Sequence, residues 1–310
     1  MALLDGAFDS LAPGGRRGED SDGFDDDGPI GAGPEEPEET GHEELDLEEE
    51  LEDDADEGDE GGEDGDPEAP KAKSKADEEE EVKHPDTPVP TKKKMLAALE
   101  WAFAAEDDVT PEYLERCADH AIATLEKNRV MNLTAILDPK EVAAKHYLDS
   151  WRVTRLVPLM ARKVLDLGTG AGFPGLPIAM AEPNVSMTLV DSTQKKIDFL
   201  QGCIDDLGVR NAHAVWARAE DHLARERVDV VLVRAVSSVR ENVRVLRKVR
   251  HSLQDLVMLK GNTWSREVRA AEREAERLGF KLDTVWEHEL PEEMGGRAIL
   301  VYRAPGGAGM

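Results

Sequence analysis

A glycine-rich turn directly after an apolar segment is the part of this sequence that most clearly indicates chemistry. The turn reads Leu165-Asp-Leu-Gly-Thr-Gly-Ala-Gly-Phe173, and its first residues belong to the mostly apolar segment Lys163-Val-Leu-Asp-Leu167. Glycines at alternate positions let a backbone turn sharply and approach a ligand where a Cβ would collide. The turn therefore predicts a ligand-binding loop at the carboxyl end of a β-strand.

The positions of the glycines and of two nearby carboxylates indicate which ligand this loop binds. A dinucleotide fingerprint requires glycines at positions one, three and six, but the sixth residue counted from Gly168 is Phe173. Asp191 stands where a carboxylate can accept hydrogen bonds from two ribose hydroxyls, and Asp166 suits a cationic methionine group. These residues predict a site for S-adenosylmethionine; the alternative is a loop that only turns the chain.

Alternating strand and helix patterns predict the elements that hold this loop. Strands are expected near residues 163–168, 186–191, 211–216, 228–234, 255–260, 280–287 and 297–303. Helices are expected between them, and this alternation is typical of a parallel sheet with helices on both faces. Because the last two strands are close together, we expect an α/β fold of the seven-stranded, Rossmann-like type found in S-adenosylmethionine-dependent methyltransferases.

Charge and periodicity divide the chain into four predicted segments. Residues 1–94 hold 35 acidic and 9 basic residues, so most of the net charge of −29 lies there. Such a stretch buries too little apolar area to offset its ordering entropy, and it serves either a partner that the sequence does not identify or solubility alone. We expect a disordered acidic extension at 1–91, an N-terminal helical cap at 92–160, the methyltransferase domain at 161–304 and a flexible tail at 305–310.

Several features point to the cytoplasm. Cys117 and Cys203 lie far apart without ligand-like spacing, which favours a reducing compartment and predicts no metal site. The segment Met1–Pro13 lacks a basic start followed by an apolar core, so we expect no signal peptide. Apolar runs all fall short of the roughly 18 residues that a membrane span requires, so we expect no membrane contact.

The segment after the fourth predicted strand bears on the methyl acceptor. Amino-group methylation usually uses an Asn/Asp-Pro-Pro-aromatic sequence at this position, which here reads Val233-Arg-Ala-Val-Ser237. Pyrimidine C5 methylation requires a nucleophilic cysteine at a strand end, and neither cysteine is so placed. Arg234 cannot act as a general base, because the high pKa of a guanidinium keeps it protonated. It favours an acceptor that is nucleophilic while neutral, such as guanine N7, unless Arg234 only forms a structural salt bridge.

Short motifs between about residues 128 and 303 resemble the bacterial 16S ribosomal RNA guanine-N7 methyltransferase family, also called the glucose-inhibited division protein B family. They occur in family order and read Asn132-Leu-Thr-Ala-Ile136, His146-Tyr-Leu-Asp-Ser150, Val164-Leu-Asp-Leu-Gly-Thr-Gly-Ala-Gly-Phe-Pro-Gly175, Leu189-Val-Asp-Ser-Thr-Gln-Lys-Lys196, Arg218-Ala-Glu220, Arg234-Ala-Val236, Leu259-Lys-Gly261 and Gly296-Arg297. The chain departs from the family by its acidic extension and by Ser237-Ser238, where an alanine is common. The resemblance implies methyl transfer from S-adenosylmethionine to N7 of a guanine in 16S ribosomal RNA, near the decoding region.

The resemblance also implies the residues of the site. Those implied to contact the cofactor are Gly168, Gly170, Phe173, Asp191, Ser192, Thr193, Ala219, Glu220 and Arg234. Those implied to position the RNA or the target base, with no general base, are Lys195, Arg218, Arg234 and Arg297. The implied partner is 16S ribosomal RNA or the small subunit. Two alternatives stay open: a non-catalytic RNA-binding assembly factor that keeps the cofactor fold, and a methyltransferase of a protein or small molecule.

Two further features have more than one interpretation. Arg240, Arg244 and Arg247 fall on one face of a predicted helix, which suits either RNA phosphates or a solvated surface. His146 lies on an apolar helix face, and we expect it to orient a loop rather than to act as a base.

Overall fold

The computed structural model describes residues 84–307 except Val236. Residues 1–83 of the acidic extension expected at 1–91 therefore lie outside the described residues, as do residues 308–310 of the expected tail. The described end of that extension packs against the helical region. Thr87 is buried, and its hydroxyl donates to the His84 carbonyl and accepts a hydrogen bond from Asn128 Nδ2.

Capped helices open the helical region. Thr91 and Thr110 precede α1 (Lys92–Ala102) and α2 (Pro111–Lys127), and each threonine hydroxyl accepts a hydrogen bond from a first-turn amide. This is the preferred chemistry of a helix N-terminus. The region continues through α3 (Pro139–Val142), a π-helical segment (Ala143–Leu148), α4 (Asp149–Trp151) and α5 (Val153–Leu156).

A single sheet follows, with seven strands in the described part of the chain. They are β1 (Lys163–Leu167), β2 (Ser186–Asp191), β3 (Ala212–Trp216), β4 (Val230–Arg234), β5 (Asp255–Lys260), β6 (Lys281–Glu289) and β7 (Gly296–Arg303). Their order is β3-β2-β1-β4-β5-β7-β6, and only the pairings of β7 with β5 and with β6 are antiparallel. This order confirms the predicted seven-stranded, Rossmann-like α/β class.

The helices between the strands are those that the periodicity predicts. They are α6 (Gly175–Ala181), α7 (Gln194–Asp206), α8 (Ala219–Leu223), α9 (Val239–Leu246) and α10 (Trp264–Arg277). Within residues 84–235 and 237–307, no helix combines the length and the apolar character needed to cross a membrane.

Central strands divide their side chains between two apolar layers, because successive residues of a strand point to opposite faces. Val230 and Leu232 of β4 join the layer that contains side chains of α1, α2, α6 and α7. Val231 and Val233 join the layer that contains side chains of α8, α9 and α10. A strand covered on both faces requires this continuous apolar run. Because β1 to β4 are parallel, the residues that follow these strands lie at one edge of the sheet.

Candidate functional site

The loop after β1 has a backbone that its glycines make accessible. Gly168, Gly170 and Gly172 have φ values of 68°, 59° and 100°, where a Cβ is strained. A Cβ added to Gly172 would lie 2.8 Å from Leu200 Cδ1, whereas one added to Gly170 would meet open space. The loop is therefore packed on its inner side and open on its outer side, as a ligand-binding loop requires.

Asp166 lies buried beneath this loop with one oxygen available. Its Oδ2 accepts hydrogen bonds from Thr169 Oγ1 at 2.6 Å and from the Gly175 amide at 2.9 Å. Its Oδ1 is buried and has no hydrogen-bond partner among the described residues. Burial raises the pKa of Asp166 from 3.8 to about 6, although both hydrogen bonds oppose that rise. An orphaned buried acceptor is costly, so this oxygen fits a ligand that supplies a cationic donor, such as the ammonium group of S-adenosylmethionine.

The raised pKa of Asp166 predicts how ligand affinity depends on pH. The folded chain binds this proton more tightly than the unfolded chain, so the associated stability is fully present below pH 3.8 and is lost as the pH rises through about 6. The ionised carboxylate attracts an ammonium group, so affinity for S-adenosylhomocysteine should increase as the pH rises through about 6. Asp166→Asn keeps an acceptor for the Gly175 amide and should remove this pH dependence. Calorimetric titration between about pH 5 and 8 measures it; an unchanged pH profile in the variant would contradict the assignment.

Asp191 ends β2 and contacts the same loop from the neighbouring strand. Its Oδ2 accepts from the Gly170 amide at 3.1 Å, and its Oδ1 accepts from the Thr193 amide at 2.9 Å. Each carboxylate oxygen has a second lone pair, so the expected bonds to ribose hydroxyls are compatible with this arrangement. Ser192 follows, and its carbonyl accepts a hydrogen bond from Trp216 Nε1 at 3.0 Å.

The ends of β2 and β3 also carry the remaining residues expected on this side of the site. Ala219 is buried and Glu220 is half-buried at the start of α8. Lys195, in the first turn of α7, and Arg218, directly before α8, are both exposed. Because β3, β2 and β1 are neighbours in the sheet, these residues follow adjacent strand ends.

Arg234 ends β4 and is held by a residue of the helical region. Its Nη2 hydrogen-bonds His146 Nδ1, and its Cζ lies 5.6 Å from the centre of the Phe173 ring. Its Nη1 is buried, with no hydrogen-bond partner in the described part of the chain. Burial lowers the pKa of Arg234 from its usual value, and the charges of Asp149 and Asp166 oppose that shift. No described carboxylate forms a salt bridge with Arg234. The structure therefore gives no support to the structural salt bridge considered for Arg234.

His146 is the residue whose importance the sequence analysis missed. A guanidinium only donates hydrogen bonds, so Nδ1 is the acceptor, and the Nε2 proton is directed to Thr134 Oγ1 at 2.9 Å. Burial, with the charge of Arg234, holds the pKa of His146 well below its usual value, so the ring is neutral. His146 contacts a loop through Thr134 as expected, and it also orients Arg234. His146 lies in the π-helical segment Ala143–Leu148. Such segments are frequent at functional sites, but helical periodicity in the sequence does not reveal them.

Phe173 lies in an aromatic cluster that links the helical region to the loop. His146 stacks on it with ring centroids 4.4 Å apart, and Tyr147 contacts it edge-on. His120 Nε2 donates to the Ala171 carbonyl at 2.8 Å, while its Nδ1 accepts from Tyr147 Oη at 2.9 Å. Burial lowers the pKa of His120 to about 4, which keeps this pattern in place near neutral pH. Phe173, expected in the cofactor pocket, thus also supports the loop from the inside.

A cavity of about 540 Å³ opens where β4 and β5 end and β7 begins, within the range of about 300–1,000 Å³ typical of small-ligand sites. Arg234 and Arg297 both line it. The other charged or polar side chains in its lining are Lys145, Asp149, Ser237, Ser238, Lys260 and Glu267. Of the four cations expected to position RNA, the structure brings Arg234 and Arg297 together. Lys195 and Arg218 are absent from the described lining and lie after β2 and β3.

The arginine-rich face of α9 contacts α10. Arg244 Nε lies 2.8 and 2.9 Å from the two carboxylate oxygens of Glu274. Arg240 Nε donates to the Ala270 carbonyl at 2.9 Å. Because α9 ends at Leu246, Arg247 lies beyond the helix. The face therefore joins two helices, and the geometry does not favour the RNA-phosphate interpretation of Arg240 and Arg244.

The sheet order, the glycine loop over a buried aspartate and the carboxylate at the end of β2 define the class of S-adenosylmethionine-dependent methyltransferases. A family model described as rRNA small subunit methyltransferase G matches residues 115–293, which is more than half of the chain. The chain belongs to this family, and the resemblance described above is confirmed.

Relatives of known name agree with this assignment. The chain is 36% identical over 189 residues to the ribosomal RNA small subunit methyltransferase G of Solibacter usitatus, covering 60% of this chain and 88% of the relative. It is 37% identical over 184 residues to the protein of the same name from Desulforamulus reducens, covering 58% and 77%. Among solved structures, a putative RNA methyltransferase from Pyrococcus horikoshii aligns at 15% identity with a TM-score of 0.42, covering 56% of this chain and 88% of that one. The family assignment does not rest on this alignment.

Proposed function

We propose that this protein transfers a methyl group from S-adenosylmethionine to N7 of a guanine in 16S ribosomal RNA of the small subunit, in the cytoplasm. Membership of the rRNA small subunit methyltransferase G family supports the class of RNA. The observation that carries the choice of atom is the position of Arg234, which lines the cavity and whose buried Nη1 has no described hydrogen-bond partner. A guanidinium cannot remove a proton from an amino group, and guanine N7 needs no deprotonation.

The residues around the glycine loop fit the cofactor. S-adenosylmethionine supplies an electrophilic methyl group on a sulfonium. The orphaned Oδ1 of Asp166 would accept from its ammonium group, and Asp191 would accept from its ribose hydroxyls. The open outer side of Gly170 leaves room for close backbone approach. The residues proposed to complete the pocket are Gly168, Phe173, Ser192, Thr193, Ala219, Glu220 and Arg234.

On the acceptor side, the protein acts by positioning rather than by proton transfer. Arg234 and Arg297 are donors in one cavity, and both can hold guanine O6 or a phosphate. Arg234 must not bond N7 itself, because that lone pair attacks the methyl carbon. Holding the reacting atoms about 3–3.5 Å apart and in line supplies most of such a rate acceleration. The exposed Lys195 and Arg218 are proposed to contact phosphates outside the cavity.

A product assay tests the proposal. Purified full-length protein is incubated with isotope-labelled S-adenosylmethionine and small subunits, or naked 16S ribosomal RNA, from cells that lack the gene. Nuclease digestion followed by mass spectrometry should show labelled 7-methylguanosine at one position of 16S RNA. Large-subunit RNA treated in the same way serves as the control and should stay unlabelled. Label at another atom or only in protein, or cofactor binding without any transfer, would overturn the proposal.

A further inference from the structure

Asp149 is a buried carboxylate that lines the acceptor cavity. It is 3% exposed, begins α4 directly after the π-helical segment, and lines the cavity with Arg234 and Arg297. Its Oδ1 lies 3.2 Å from His288 Nε2, and its Oδ2 lies 3.8 Å from Arg297 Nε. Charge-assisted hydrogen bonds are normally about 2.7–2.9 Å long. Both contacts are therefore long for a carboxylate that is only 3% exposed.

Asp255 shows how this protein satisfies a buried carboxylate that has only a structural role. It is 2% exposed, and its two oxygens lie 2.7 Å from Arg162 Nη2 and 2.6 Å from Arg303 Nη1. Asp149 is equally buried but has no contact of comparable length. A buried charge is costly unless it is paired and hydrogen-bonded, so the weak pairing of Asp149 points to a ligand that completes it.

The chemistry of the cavity fits one base in particular. Guanine carries two adjacent donors, N1–H and the N2 amino group, next to the acceptor O6. A carboxylate can accept from both donors, while Arg297 or Lys145 in the same lining can donate to O6. Adenine instead presents the N1 lone pair at the position where guanine has a donor, and a carboxylate repels it. Enzymes that modify a base take it out of the stack and contact its Watson–Crick edge in this way.

We propose that Asp149 accepts hydrogen bonds from N1–H and the N2 amino group of the target guanine and thereby selects that base, an inference that rests on the proposed function. The same carboxylate also serves the reaction. The N7 lone pair forms the new bond to the methyl carbon, the electron pair of the broken carbon–sulfur bond stays on sulfur, and guanine gains one positive charge. Glu267, the other carboxylate in the described lining, is paired with Lys260 at 2.8 Å. In a cavity that also holds Arg234, Arg297 and Lys145, Asp149 therefore supplies the negative charge that offsets this developing cation.

Inosine tests this contact because it lacks only the N2 amino group. RNA assembled by ligation carries inosine in place of the methylated guanine, and kcat/KM is measured for both substrates. A hydrogen bond to a charged group is worth about 10- to 100-fold, so the wild-type protein should lose that factor with inosine. D149N presents a donor where an acceptor was. The kcat/KM of D149N on the guanine substrate should fall by at least the same factor. Replacing guanine by inosine should then lower the kcat/KM of D149N by less than about threefold, because the variant and the inosine substrate lose the same contact and their effects do not add.

A matched control separates recognition from support of the fold. His288→Leu removes the contact between His288 and Asp149 but keeps the Asp149 carboxylate, and His288 is not among the described residues that line the cavity. This variant should keep the preference for guanine over inosine, and melting temperatures should show similar stability losses in D149N and H288L. The inference is overturned if wild-type protein does not distinguish inosine from guanine, even when D149N does not fold. It is also overturned if D149N distinguishes them as wild type does, or if H288L loses the preference. Absence of N7 methylation by wild-type protein would instead reject the proposed function.

Discussion

Arg234→Ala is expected to reduce methyl transfer to 16S ribosomal RNA by about 100-fold or more, the loss typical of removing a preorganised donor from an active site. The arginine is the link between the cofactor loop, through Phe173, and the acceptor cavity. Its free Nη1 is the donor that would hold the incoming nucleotide. Initial rates with saturating RNA, together with calorimetric titration of S-adenosylhomocysteine, measure whether the loss lies in transfer or in cofactor binding.

The same substitution should leave the fold nearly intact. Arg234 makes no described salt bridge, and its hydrogen bond to His146, from a charged donor, is worth about 1.5–3 kcal/mol. Removal of a half-buried cation offsets part of that loss. Thermal unfolding should therefore show a shift of only a few degrees.

Arg240→Ala is the matched control for Arg234→Ala. Arg240 donates a hydrogen bond to the Ala270 carbonyl on α10, and it is not among the described residues that line the cavity. Its removal should leave kcat unchanged. Undiminished turnover by Arg234→Ala would remove Arg234 from the mechanism, and equal losses in both variants would indicate a general effect of lost positive charge.

Gly175→Ala is expected to lower the free energy of unfolding by about 1–3 kcal/mol, the usual cost of overpacking. The added Cβ would lie 2.3 Å from Leu189 Cδ2 and 2.8 Å from Asp166 Oδ2. Leu189 is fully buried and has little room to move. Displacement of Asp166 would also break the hydrogen bond that it accepts from the Gly175 amide, so affinity for S-adenosylhomocysteine should fall as well.

Gly202→Ala provides the contrasting glycine. Gly202 lies inside α7, and a Cβ there meets nothing within 4 Å. Alanine in a helix interior is favoured over glycine by about 0.5–1 kcal/mol, so this variant should be more stable. Urea unfolding of both variants, with and without S-adenosylhomocysteine, tests the pair. Equal stability of the two would show that the space at Gly175 is not required.

The sequence by itself predicted the strand ends and the loop that are proposed to hold the cofactor. Asp166, Gly168 and Gly170 are close in sequence; the glycines shape the backbone of the loop, and the Asp166 carboxylate accepts hydrogen bonds from residues of the same segment. The apolar run of β4 needs burial on both faces, so it predicted a central strand. Asp191 followed from the same alternation, because a residue that ends the neighbouring parallel strand must lie beside the loop. Local periodicity and turn chemistry were sufficient for these predictions.

Only the tertiary structure decided the acceptor side. His146 and Arg234 are 88 residues apart in sequence, and the π-helical segment that places His146 breaks the helical spacing. Asp149 and Arg297 meet only because β7 inserts between β5 and β6 and brings its first residues to the cavity. The sequence alone could not separate Arg297 from Lys195 and Arg218, since all three are cations expected near strand ends. Burial and strand order separate them, and both depend on long-range packing that no local pattern contains.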